Sequence, residues 1–142
     1  MYCTQTDIEQ RRISTATLIQ LTDDADTGAV DAGVVAGAIT EAAGMVDGFL
    51  RGRYPLPLNP VPEIITTIAL DVSVYYLYAR KPEFDPPEAV SDRYKSAVAL
   101  LQRIQDGKMP LYETSAPPAT GPSVVSYSGP ERLFSRKTLR GF

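Results

Sequence analysis

The stretch DAGVVAGAITEAAGMVDGFLRGRYPLPL, residues Asp31 to Leu58, decides the fold of this 142-residue chain. Apolar residues recur in it at steps of three and four, which places them on one face of a helix. Asp31 can cap the first turn, and the helix should stop at Tyr54-Pro55, because proline disfavours helical geometry in the residue before it. The predicted core positions are Val35, Ala38, Ile39, Ala42, Met45, Val46 and Phe49.

Two short helices are predicted before this stretch. Thr4 or Thr6 can cap the first, and the acidic residues that follow favour the positive end of the helix dipole. Ser14 can cap a second helix that ends near Leu21. Residues 4–21 should therefore form two small helices rather than one.

Two longer helices are predicted after it. Four prolines within residues 55–62 should form a stiff, extended connector, with Pro62 in the first turn of a helix that is apolar on nearly all sides. Such a helix should be the most buried element. Asp85 should cap the last helix, with Pro86 and Pro87 in its first turn, and Gly107 should end it in a left-handed conformation.

The chain is thus predicted to be all-α. Residues 1–108 should form a small helical body, a bundle of about four to five helices. Residues 109–142 are rich in Pro, Ser, Thr and Gly and have only short apolar islands, so they should form an extended, partly irregular C-terminal arm with room for short strands.

Composition excludes several classes of function. The chain contains no histidine, which removes serine–histidine and cysteine–histidine catalysis and imidazole zinc sites. Its single cysteine, Cys3, cannot form an intrachain disulfide and should be a buried or idle thiol. No nucleotide-binding or cofactor motif occurs, so neither catalysis nor a cofactor is predicted.

Membrane and nucleic-acid roles are not predicted either. We find no signal peptide and no continuous apolar stretch of about 18 residues, and expect a chain made soluble in the cytoplasm. The net charge of −3 opposes binding to phosphates. Charge is uneven, however: residues 1–50 are strongly acidic, whereas residues 131–142 hold four basic residues and one acidic residue. That asymmetry suits head-to-tail contact between copies, or equally a solvated basic tail.

The acidic segment LTDDADTGAVDAGVV, residues 21–35, partly resembles a calcium-binding loop. With Gly28 at the turn position, Asp23 and Asp31 fall on ligand positions, but Ala25 and Val34 replace two of the strongest ligands. We therefore predict a turn that connects two helices, with Asp31 as a cap. A weak cation site, in a small regulatory or ligand-binding module, is the alternative hypothesis, and a rise in melting temperature with calcium would support it.

Asp71 is the strongest candidate for an unusual titratable group, because it lies inside the most apolar helix. The simpler interpretation is a structural ion pair with Arg93, Arg103 or Arg51. The cluster of Tyr75, Tyr76 and Tyr78 should pack on the core with hydroxyls at the surface. Tyr54 should contact either its own chain or a neighbouring subunit.

Five motifs occur in order along the chain: Tyr2, Thr4 and Asp7; Leu18 to Asp23; Asp47 to Leu58; Asp71 to Tyr78; and Arg132 to Phe142. Taken in this order, they resemble the Mu-like prophage virion proteins that are encoded among head and neck genes. Ala25 departs from the fuller acidic turn of that family, which lowers the expectation of metal further.

This resemblance implies a structural, non-catalytic head–tail connector or head-completion protein. Such a protein is expected to form a homo-oligomeric ring in the virion neck, after synthesis in the host cytoplasm, and to contact portal and tail proteins. It would contact nucleic acid only as DNA passing through the ring. We predict partner contacts at Arg51, Arg53 and Tyr54 of the body and at Phe134, Arg136, Leu139 and Phe142 of the arm. Docking of the arm on its own chain is the alternative.

Overall fold

The computed structural model describes residues 1–112, and within them it contains five α-helices and no strand. The prediction of an all-α bundle of four to five helices is confirmed. The path and the short strands predicted for the C-terminal arm lie outside the described residues, except for residues 109–112. The helices are α1 (Gln5–Arg11), α2 (Thr15–Thr22), α3 (Ala32–Leu50), α4 (Glu63–Ala79) and α5 (Glu88–Gln105).

Helix α4 forms the centre of the bundle. It packs against both α3 and α5, which also contact each other. The two short N-terminal helices, α1 and α2, contact α4 as well. Burial of one Ile or Leu side chain contributes about 1.5–3 kcal/mol, so α4 is a main source of stability and is the most buried helix, as predicted. Its buried residues are Ile65, Ile68, Ala69, Leu70, Val72, Ser73, Val74 and Leu77.

Side-chain caps fix the start of the first three helices. Thr4 Oγ1 accepts a hydrogen bond from the Asp7 amide at 3.2 Å, and the Asp7 carboxylate accepts from the Thr4 amide at 2.9 Å, which forms a capping box. Ser14 accepts from an amide in the first turn of α2, and Asp31 accepts from two amides in the first turn of α3. The predicted starts are confirmed, with Thr4 rather than Thr6 at α1.

Prolines without side-chain caps precede the last two helices. Pro62 is the N-cap residue of α4, one position earlier than the predicted first-turn position. The prediction that Asp85 caps α5 is wrong, because that helix begins at Glu88 after an extended Pro87. Each proline disfavours helical geometry in the residue before it, so Pro86 and Pro87 together delay the helix start.

The segment from α3 to α4 differs from the prediction in two ways. Helix α3 ends at Leu50 rather than at Tyr54, since the amides of Arg53 and Tyr54 both donate to the Leu50 carbonyl at 2.9 Å and tighten the last turn. The proline segment is bent at residues 56–57 and 59–60, and its Leu56–Pro57 and Asn59–Pro60 bonds are cis. The predicted extended path is wrong because the chain turns to bury Leu58 in the core.

The apolar face of α3 is largely as predicted. Val35, Ala38, Ile39, Ala42 and Val46 are buried, Met45 and Phe49 are half-buried, and the fully buried Leu50 was not predicted. The helix is also long and apolar enough, by length and composition, to cross a membrane, contrary to the expectation that no such stretch exists. A single such helix argues little for a membrane, because a core helix passes the same test, and this one packs against α4 and α5.

Candidate partner-binding corner

The end of α3 presents a cation at the surface. Arg51 is the C-cap residue, and its amide donates to the Asp47 carbonyl at 2.9 Å. Its side chain is exposed and makes no ion pair with any residue in the described range 1–112. A cation at this position interacts favourably with the negative end of the helix dipole. Arg51 therefore has a fixed backbone and a guanidinium that is unpaired within the part of the chain that the structure describes.

Arg53 is held against the end of α5. Gly107 has φ of +78°, which confirms its predicted left-handed conformation. Its amide donates to the Ile104 carbonyl at 3.1 Å, and the next amide along the chain closes a second bond to α5, which is the usual glycine-terminated helix end. The Arg53 guanidinium occupies the space that a Cβ at position 107 would need. The Arg53 side chain therefore lies against the end of α5.

Tyr54 ties the beginning of the C-terminal arm to this end of the molecule. Its hydroxyl accepts a hydrogen bond from the Leu111 amide at 3.1 Å. Its ring meets that of Tyr112 edge-on, with 6.2 Å between centroids, and the Tyr112 hydroxyl donates to the Pro60 carbonyl at 2.8 Å. Of the two predicted alternatives for Tyr54, the local contact is present. The surface made by residues 51–60 with Leu111 and Tyr112 is called the corner below.

A depression of about 490 Å³ lies at the corner. Asp47 and Arg51 line it together with Tyr54 and the first prolines of the connector. The Tyr2 hydroxyl donates to the Asp47 carboxylate, and burial together with that negative charge raises the pKa of Tyr2. Tyr2 thus remains a hydrogen-bond donor at neutral pH, which orients Asp47 and fastens the N-terminus beside the corner.

The structure brings together the three predicted contact residues of the body. Arg51, Arg53 and Tyr54 all lie at the corner; within residues 1–112 neither arginine forms an ion pair, whereas the Tyr54 hydroxyl accepts a hydrogen bond. The four predicted arm residues lie outside the described residues, so their role stays a prediction; they are Phe134, Arg136, Leu139 and Phe142.

Asp71 forms a structural ion pair. Its Oδ1 accepts a hydrogen bond from Arg12 Nε at 2.6 Å, and the two side chains are 12% and 18% exposed. The predicted kind of contact is confirmed, but the predicted partner, Arg93, Arg103 or Arg51, is wrong. Arg12 lies at the end of α1, and only the packing of α1 against α4 brings it to Asp71.

Three carboxylates of the acidic turn, those of Asp23, Asp24 and Asp31, are bonded within the chain. Asp23 accepts from two backbone amides of the turn, which lowers its pKa. Asp24 lies 2.6 Å from Arg80 and 2.9 Å from Lys81, and these cations lower its pKa. Asp31 caps α3. The predicted helix-connecting turn is confirmed, and residues 1–112 contain no group of three or more acidic or cysteine side chains placed to hold a metal.

The tyrosine cluster and the cysteine are packing residues. Tyr75 stacks on Tyr94 with 4.0 Å between ring centroids, and the Tyr76 hydroxyl points to Met45 Sδ at 3.3 Å. Cys3 is buried beside Ser73, and burial raises the pKa of its thiol. Both predictions of a packing role are confirmed.

Sequence reasoning missed the residues that join distant parts of the chain. Tyr2, Arg12, Leu111 and Tyr112 all make contacts across long sequence separations. No local pattern marks such contacts, because they depend on how the helices pack.

Comparison with known proteins places the chain in a family. The family model described as Bacteriophage Mu, Gp36 matches residues 2–126, a range that includes the whole described helical body. Gene product J of Escherichia phage Mu is 31% identical over 144 residues, in an alignment that covers 99% of this chain and 98% of that protein. This agrees with the resemblance carried by the sequence motifs. The chain therefore belongs to the bacteriophage Mu Gp36 family of Mu-like phage virion proteins.

Proposed function

We propose that this protein is a head–tail connector or head-completion subunit, which assembles as a ring in the virion neck and acts by binding rather than by catalysis. Membership in a family of phage virion proteins supports a structural role. The observation that carries the proposal is the corner, where Arg51, which forms no ion pair with any described residue, lies beside a depression on a firmly held backbone. Arginine and tyrosine are enriched among the residues that contribute most of the binding energy at protein interfaces.

The corner is preorganised for binding. The amides of Arg53 and Tyr54 are bonded to Leu50, which is fully buried, so the backbone of the corner continues directly from the core. Tyr54 and Tyr112 are held by hydrogen bonds at their hydroxyls. A surface that is ordered before binding loses little conformational entropy when a partner docks.

Ring assembly requires two different surfaces on each subunit. Closed rings other than dimers use heterologous interfaces, in which one patch binds a different patch on the next copy. The corner supplies one patch, with Arg51 as a charge that has no ion-pair partner in the described helical body. The C-terminal arm supplies the second, anchored on a neighbour or on the portal through Phe134, Arg136, Leu139 and Phe142. Tail proteins would bind the opposite side of the ring, and DNA would pass through it.

A charge reversal at the corner tests this proposal. In a head–tail joining assay with purified heads and tails, Arg51→Glu should lower the yield of complete particles by about tenfold or more, the effect of losing about 1.4 kcal/mol at an interface. Arg93→Glu is the matched control, since Arg93 is an exposed arginine on α5, away from the corner. Both variants should melt like the wild type.

Two outcomes would overturn the proposal. The first is a normal particle yield with Arg51→Glu. The second is electron microscopy of purified necks in which the protein is missing or is not arranged as a ring.

A further inference from the structure

A groove of about 400 Å³ lies between α3 and α4, on a surface that the corner does not use. Its α3 residues follow the spacing of one helix face. Small residues form the floor and leave the space unfilled, and Glu41, Tyr76 and Arg80 form the polar rim. The lining residues are Val34, Gly37, Ala38 and Glu41 from α3, and Tyr76, Ala79 and Arg80 from α4.

Among the described residues, the charge in this groove that has no partner is negative. Arg80 is already engaged, since its guanidinium bonds to Asp24 at 2.6 Å and to the Leu21 carbonyl at 2.8 Å. Glu41 is exposed and forms no ion pair within residues 1–112. A mostly apolar floor beside an unpaired carboxylate fits a segment that alternates apolar and cationic side chains.

The chain carries one segment of that chemistry. Residues 132–142, RLFSRKTLRGF, contain four basic residues, no acidic residue and four large apolar side chains. The groove volume is at the small end of the range of about 300–1,000 Å³ for ligand sites. It therefore suits a few side chains from a short segment better than the face of another folded subunit.

The connecting length favours the same chain as the source. Tyr112 is fixed at the corner, and residues 113–131 join it to the basic segment. A coil of that length spans about 25 Å on average, and the distance along α3 from Leu50 to Gly37 is about 20 Å at 1.5 Å per residue. When a linker matches the span, the effective concentration of the tethered segment reaches about the millimolar range.

We propose that this groove binds residues 132–142 of the same chain in the free subunit, with apolar side chains on the floor and a cation beside Glu41. This docking goes beyond the connector role and does not require it. If the connector role holds, the basic segment must leave its own groove before it can anchor on a partner, so docking would keep free subunits from assembling early.

Disulfide trapping in the full-length chain tests the docking. A Cys3→Ala background removes the native thiol, and Gly37→Cys and Leu139→Cys place one thiol in the groove and one in the segment. Gly37 tolerates a side chain, because a Cβ there meets no atom within 4 Å. The pair Ala99→Cys and Leu139→Cys is the control, with Ala99 exposed on α5. The groove pair should oxidise at least about tenfold faster than the control, a difference of about 1.4 kcal/mol.

Three results decide the matter. Adding Glu41→Arg should slow oxidation of the groove pair about two- to fivefold, as for loss of one exposed ion pair. Equal rates for the groove and control pairs would overturn the proposal. Disulfide-linked dimers from a mixture of the two single-cysteine proteins would also overturn it, since they would assign the groove to a second copy. None of these readouts depends on head–tail joining, so failure here is distinct from failure of the connector proposal.

Discussion

Breaking the Arg12–Asp71 ion pair should destabilise the fold without altering the corner. Asp71→Asn leaves the guanidinium without its partner, and Arg12→Met leaves the carboxylate without its own. Exposed ion pairs contribute about 0.2–1 kcal/mol, whereas removing one partner of a fully buried pair costs about 3–5 kcal/mol. With side chains 18% and 12% exposed and 2.6 Å between the bonded atoms, each substitution should lower the free energy of unfolding by about 1–3 kcal/mol.

Urea unfolding of the two single variants and the double variant measures the coupling. The double variant should be less destabilised than the sum of the single ones, by about 1 kcal/mol or more, because residues in direct contact are not additive. The head–tail joining yield should stay normal at temperatures where the variants are folded. A coupling below about 0.5 kcal/mol would refute the structural role. Loss of joining in a fully stable Asp71→Asn protein would instead make Asp71 a functional group.

Three further predictions concern the corner, a helix end and the acidic turn. Tyr54→Phe should lower the free energy of unfolding by about 0.5–1.5 kcal/mol and speed hydrogen exchange at the Leu111 amide. The control Tyr78→Phe should leave exchange at that amide unchanged. Gly107→Ala should cost about 1–2 kcal/mol in urea unfolding, because φ is +78° there, whereas Gly48→Ala in the exposed face of α3 should stabilise by up to about 1 kcal/mol. Arg80 and Lys81 lower the pKa of Asp24 in the folded state. The contribution of Asp24 to stability is therefore complete above about pH 4 and is lost as the pH falls through the lower folded-state pKa. Asp24→Asn should flatten the acid side of the plot of urea midpoint against pH.

Features that depend on neighbouring residues could be predicted from the sequence. A capping side chain bonds to amides two or three residues away, so Ser14 and Asp31 mark helix starts without any knowledge of packing. Gly107 marks a helix end for a similar reason, since only glycine adopts its conformation at little cost. Helix faces follow from spacing alone, which is why the buried side of α3 was largely predicted.

Features that depend on competition between local signals, or on how the helices pack, could not be predicted from the sequence. Asp85 has the chemistry of a cap, but Pro87 disfavours helical geometry at Pro86, which would be the first helical residue after that cap. The sequence predicts that Asp71 pairs with an arginine, but which arginine forms the pair depends on where α1 lies against α4. At the corner, Tyr54 and Leu111 are far apart in sequence, and no local pattern links them.

The two proposed binding surfaces depend on one rigid element. Helix α3 buries Val46 and Leu50 in the core at the end that carries the corner, and it lines the groove with Gly37 and Glu41 nearer its start. Since one helix fixes both, the distance from corner to groove cannot change without unpacking the core. Because the arm begins at the corner, the distance that it must span to the proposed groove of its own chain is the same in every copy. Reach to a neighbour's groove, by contrast, depends on the geometry of the ring. Exchange of the basic segment from its own groove to a partner would therefore report directly on whether neighbouring subunits are correctly placed.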